Sequence, residues 1–138
     1  MTEKRSTLTA EGVRLLREVQ KRIVAEPERF NMGTWCSETA CGTVACIAGH
    51  IGLMLGYAPR VLRRFSDSER ADAKVIATGA IGIDDEIASE LFYDSQWPED
   101  LLQRLDEAEA ENDPVCYASV ACERIDRFIA EHAPSEGR

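Results

Sequence analysis

Cys36, Cys41, Cys46 and His50 form one cluster of reactive side chains, in the order C-x4-C-x4-C-x3-H. Four thiol and imidazole ligands are what a tetrahedral zinc site needs. The x4 spacings are looser than the usual zinc knuckle, so no metal is favoured, and zinc on these four residues stands as the alternative. A second chemistry is nucleophilic, with Cys41 or Cys46 attacking and His50 or His132 as base. Cys41 would gain thiolate character if it stood at a helix start. A third is oxidative, because Cys36 and Cys41 in an open loop could pair, whereas Cys116 and Cys122 on one helix point apart. Against all three stands plain packing: free cysteine is among the most buried residue types, and His50 reads more readily as a hydrogen-bonded core histidine than as a ligand or base.

Two further groups invite a ligand. If Gly42 and Thr43 open a helix, their backbone N–H groups, with Cys41 and Trp35 beside them, could hold a small anion. The plainer reading is that Thr43 caps that helix and Gly42 makes the turn. Arg60, Arg63 and Arg64 share one face of a turn and could meet an anion or pair with acidic residues elsewhere. Trp35 and Trp97 each cap the core or face a ligand.

The elements that must position these residues read as helices. Val13, Leu16, Val19 and Ile23 repeat at helical spacing over about 9–25, with Thr7 or Thr9 as cap, and Pro27 ends the run. A nearly all-apolar stretch predicts a buried central helix over about 43–56. Its large face is Val44, Ile47, Ile51 and Leu55; its small stripe is Ala45, Gly49, Gly52 and Gly56. Glycine inside a helix costs up to about 1 kcal/mol against alanine, so Gly49 and Gly52 imply a packing or a ligand reason. Further helices are expected over about 68–80, 84–92, 98–110 and 114–132. Asp84 and Asp113 sit at two starts, and Pro98 and Pro114 suit a first turn. No stretch alternates with a period of two and no hairpin dipeptide appears, so no strand is expected. The expected fold class is all-α: one domain over 1–138, five or six helices around the 43–56 helix, with 1–7 and 133–138 as flexible ends.

One resemblance spans nearly the whole chain. Arg29-Phe30-Asn31-Met32, Trp35 and Cys41-Gly42-Thr43-Val44-Ala45-Cys46-Ile47-Ala48-Gly49-His50 fit an R-F-x-M-x-x-W … C-G-T-x-A-C-x-A-G pattern. Leu91-Phe92 with Trp97-Pro98, and Ala121-Cys122-Glu123-Arg124-Ile125-Asp126-Arg127-Phe128-Ile129, extend it. The chain thereby resembles a group of short, uncharacterised bacterial and phage proteins. The resemblance implies no activity and carries over no catalytic residue. It marks Met32, Trp35, Cys41, Gly42, Thr43, Cys46 and Gly49 for inspection, and Cys36 lies outside it.

Charge divides the 138 residues unequally. The net charge is −9, yet residues 1–70 hold 11 basic and 8 acidic side chains, while 71–138 hold 5 and 17. From Asp84 to Asp113 there are twelve acids and one base, Arg104. General nucleic-acid binding is disfavoured, since phosphate contacts need clustered Lys and Arg. The polar start over 1–10 lacks the apolar core of a signal peptide, and the 44–58 run is too short to span a bilayer. Five cysteines cannot all pair within one chain, and free thiols fit a cytoplasmic protein. With no complete catalytic motif, the chain leans away from an enzyme. The reading is a non-enzymatic module that binds a protein partner, or itself, through the acidic 84–113 surface. The alternative is a cysteine-centred site at Cys41, Cys46 and His50, and no cofactor is expected apart from zinc in that alternative.

Overall fold

The computed structural model describes residues 7–39, 42–62 and 72–133. Seven α-helices carry the described chain, as the all-α expectation requires, and one small hairpin joins them. Helix α1 (Ala10–Ala25) starts where Thr9 Oγ1 accepts from the Gly12 N–H at 2.9 Å. Its Leu15, Leu16, Val19 and Ile23 are buried. A 3-10 turn at Pro27–Arg29 follows, since proline cannot continue the helix.

The central segment departs from expectation. Instead of one helix over 43–56, strands β1 (Cys36–Thr39) and β2 (Gly42–Ala45) pair antiparallel, and helix α2 runs only from Ile47 to Met54. Cys36 faces Ala45 and Thr39 faces Gly42 in the register. Thr43 is therefore a strand residue and no cap; the residue before α2 is Cys46, extended at φ −80° and ψ −173°. An apolar run such as Val44-Ala45-Cys46 has no periodicity to separate strand from helix. Non-local partners decide it: Phe30 bridges Ala45, and the Asn31 N–H donates to the Ala45 carbonyl at 3.1 Å. Leu55, expected on the large face, follows the helix end and is 44% exposed. Gly56 does stop the helix, at φ +94°.

Short helix α3 (Pro59–Leu62) was not expected, and it seals Leu62 inside. Arg60 lies exposed on it; Arg63 and Arg64, the rest of the basic face, lie outside the described residues. Helix α4 (Asp72–Ile81) is the described part of the helix expected over 68–80. Helix α5 (Asp85–Phe92) is capped by Asp84, which accepts from the Glu86 N–H at 2.9 Å. A 3-10 turn at Asp94–Gln96 leads to α6 (Glu99–Ala110) and then α7 (Pro114–His132). Asn112, at φ 56°, and the Asp113 cap on the Cys116 N–H form the corner between α6 and α7. Arg127 ties them with a fork onto Asp100 at 2.8 and 3.1 Å and a bond to Glu123 at 2.8 Å.

Helices α1, α2, α4, α5, α6 and α7 share one core, from Leu16 and Ile47 to Leu91, Leu101 and Phe128. Trp97 is sealed into it by donating its indole N–H to the Leu91 carbonyl at 2.8 Å. Val115, in the first turn of α7, is 67% exposed. No helix among the described residues is long and apolar enough to cross a membrane. The flexible ends expected at 1–7 and 133–138 lie mostly outside the described residues. Leu8 is buried and donates its N–H to the His132 carbonyl at 2.7 Å, which ties the start of the described chain to the end of α7.

Candidate functional site

The segment from Arg29 to His50 folds as a knot of mutual contacts. The Cys46 N–H donates to the Thr34 carbonyl at 3.0 Å, and the Cys46 thiol lies 3.9 Å from the Trp35 carbonyl oxygen. A Cβ added at Gly49 would stand 1.8 Å from that same oxygen, so only glycine lets α2 approach the chain there. At Gly52 an added Cβ would meet Leu62 at 2.3 Å. Both interior glycines thus have a packing reason. Gly42, at φ +123°, lies under the Arg29 guanidinium, which an added Cβ would reach at 2.6 Å. His50 and the Arg29 carbonyl are joined through Nε2 at 3.0 Å. Trp35 is half-buried, edge-on to Tyr93 with ring centroids 5.6 Å apart.

This environment sets the chemistry of the cysteine cluster. Cys46 is 2% exposed, and burial pushes its thiol up to about 12. His50 is 4% exposed, and burial holds its imidazole down to about 4, so it is neutral at pH 7. A thiol held against ionisation is a weak nucleophile, whatever base lies a turn away. Cys36, expected in a loop, is 1% exposed within β1. Cys41 lies outside the described residues. The proposed anion site at a helix start falls, because Gly42 and Thr43 belong to β2 and the start of α2 lies at Cys46 and Ile47.

Among the described residues one group brings three metal-ligating atoms within 4.8 Å of one another, and it is Glu90, Glu131 and His132. Cys36, Cys46 and His50 do not converge in that way. His132 Nε2 lies 3.7 Å from Glu90 and 3.8 Å from Glu131, while Arg124 stands 3.9 Å from Glu131. Two cationic or protonatable partners already answer these carboxylates. The ring of His132, the alternative base, packs on Phe128.

Two buried cations were missed by sequence reasoning. Lys74, 1% exposed, donates to Asp85 Oδ1 at 2.8 Å and to Ser89 Oγ at 2.7 Å. Arg124, 2% exposed, donates to the Glu90 carbonyl at 3.1 Å. Both fasten α5 to a neighbouring helix. Lys74 stands alone among Ala73, Val75, Ile76 and Ala77, which is a signal in the sequence; Arg124, between Glu123 and Asp126, carries none.

The acidic segment is divided by use. Asp84 caps a helix, Asp85 pairs with Lys74, Glu90 lies beside His132, and Asp100 holds Arg127. Among the others, Glu99, Asp106 and Glu107 lie, with Leu102, Gln103 and Ala110, on the outer face of α6, along an open groove of about 460 Å³. At the C-terminal end of α6 lies a second hollow of about 350 Å³, lined by Glu28, Phe30, Glu109, Asn112, Asp113 and Tyr117 among others.

No protein-family model, no curated protein and no solved structure matches the chain.

Proposed function

We propose that this chain is a non-enzymatic binding module, cytoplasmic in setting, whose acidic 84–113 surface docks a basic segment of a protein partner. One observation carries the reading. Glu99, Asp106, Glu109 and Glu111 have no basic side chain at ion-pair distance among the described residues, while Asp85 and Asp100 of the same acidic segment do. Asp106 also helps raise the carboxyl of Asp94, whose main cause is burial. Like charges held side by side oppose compaction unless an opposite charge arrives from outside. Such a surface sets the sign of the partner and speeds its arrival.

The test is a fluorescence-anisotropy titration with a short labelled Lys/Gly peptide and a Glu/Gly peptide of equal length. The basic peptide is expected to bind and to weaken as salt rises to about 0.15 M, where screening acts over roughly 8 Å. The triple variant E99Q/D106N/E107Q should lose several-fold in affinity. Equal binding of both peptides, or a triple variant indistinguishable from the parent chain, would overturn the reading.

A further inference from the structure

The hollow at the end of α6 is chemically unlike the open groove beside it. Three carboxylates line it, Glu28, Glu109 and Asp113, and its lining contains no lysine, arginine or histidine. They come from three places: the 3-10 turn after α1, the last turn of α6, and the residue before α7. Phe30 and Tyr117, with ring centroids 5.5 Å apart, supply aromatic wall, and Pro27, Ala108 and Pro114 supply apolar wall. The Tyr117 hydroxyl accepts from the Met32 N–H at 3.0 Å, which fixes its ring. Asn31 and Asn112 add polar amides at the rim.

Each part favours the same guest. Carboxylates on several sides attract a cation and repel an anion. Aromatic faces attract a cation through the ring quadrupole, and apolar walls suit an aliphatic stem. The C-terminal end of α6 contributes partial negative charge. A volume of about 350 Å³ lies within the range of small-ligand sites. The start of α7 would favour an anion, but Asp113 already caps it through the Cys116 N–H at 3.1 Å.

We infer that this hollow is the anchor pocket for a single lysine or arginine side chain from the basic partner. The inference rests on the acidic docking surface proposed above and names a place where that surface has depth. The head group sits among Glu28, Glu109 and Asp113, and its stem lies along Phe30 and Tyr117. The rest of the basic segment then runs onto the outer face of α6.

Two charge-matched variants test it with the labelled Lys/Gly peptide: E28Q/E109Q in the pocket, and E99Q/D106N on the outer face. All four residues are exposed, so both variants are expected to fold. The pocket pair should lose about tenfold in affinity and the outer pair less than about threefold. The peptide's lysine ε-methylene resonances should also move upfield on binding, because they lie over aromatic rings. Equal losses from the two pairs, or no upfield shift, would overturn the pocket and leave the acidic surface standing. Failure of the parent chain to bind the peptide would overturn both.

Discussion

Cys46 and His50 stand one turn apart, yet the fold uses them as core. The cysteine spacing was legible in the sequence; the burial was not, because it comes from the Trp35 and Arg29 carbonyls, which chain order does not place beside them. Native thiol labelling should therefore modify exposed Cys116 first and half-buried Cys122 more slowly. Cys36 and Cys46 should react only after unfolding. Rapid modification of Cys46 in the folded protein, read by peptide mass, would restore the nucleophile. His50 makes a pH prediction. Its folded value of about 4 lies below the ordinary 6.5, so between these values the unfolded chain binds a proton that the folded chain refuses. Stability is fully present above pH 6.5 and is lost as pH falls towards 4, by about 3 kcal/mol. Denaturant titrations over that window should show a shallower pH slope for His50→Gln than for the parent chain. Parallel slopes would mean that His50 is not buried as a neutral ring.

At the scale of elements, periodicity served the long amphipathic helices. The bounds of α1, α5, α6 and α7 follow from Thr9, Asp84, Pro98 and Asp113, whose capping or turn chemistry is local. It failed at β1 and β2, which have four residues each, too few to reveal a period of two. Their pairing depends on Phe30 and Asn31, outside both strands. The same close approach fixes a contrast between two glycines. Gly49→Ala drives a methyl into the Trp35 carbonyl and should cost roughly 3 kcal/mol. Gly79→Ala on α4 meets nothing within 4 Å and should gain about 0.5–1 kcal/mol from helix propensity. Thermal melts of the two variants should move in opposite directions. A Gly49→Ala protein as stable as its parent would contradict the knot between α2 and the chain at Trp35.

Over the whole molecule, the net charge of −9 conceals a division of labour. Acids near Lys74, Arg127 and His132 hold helices together; Glu99, Asp106, Glu107 and Glu109 of α6, and Glu111 at its end, are exposed. The sequence shows the acidic run but not which of its members are already matched, since those pairs link residues on different helices, 11 or more positions apart. The hollow at the end of α6 likewise depends on the turn at Glu28 and Phe30 meeting the end of α6 and Tyr117 of α7, three separate segments. Chemical-shift mapping of the isotope-labelled protein during titration with the Lys/Gly peptide tests the central claim most directly. Shifts are expected along Glu99–Tyr117 and at Glu28–Asn31, fading as salt rises. Shifts centred on Cys36–His50, or spread evenly over the surface, would contradict it.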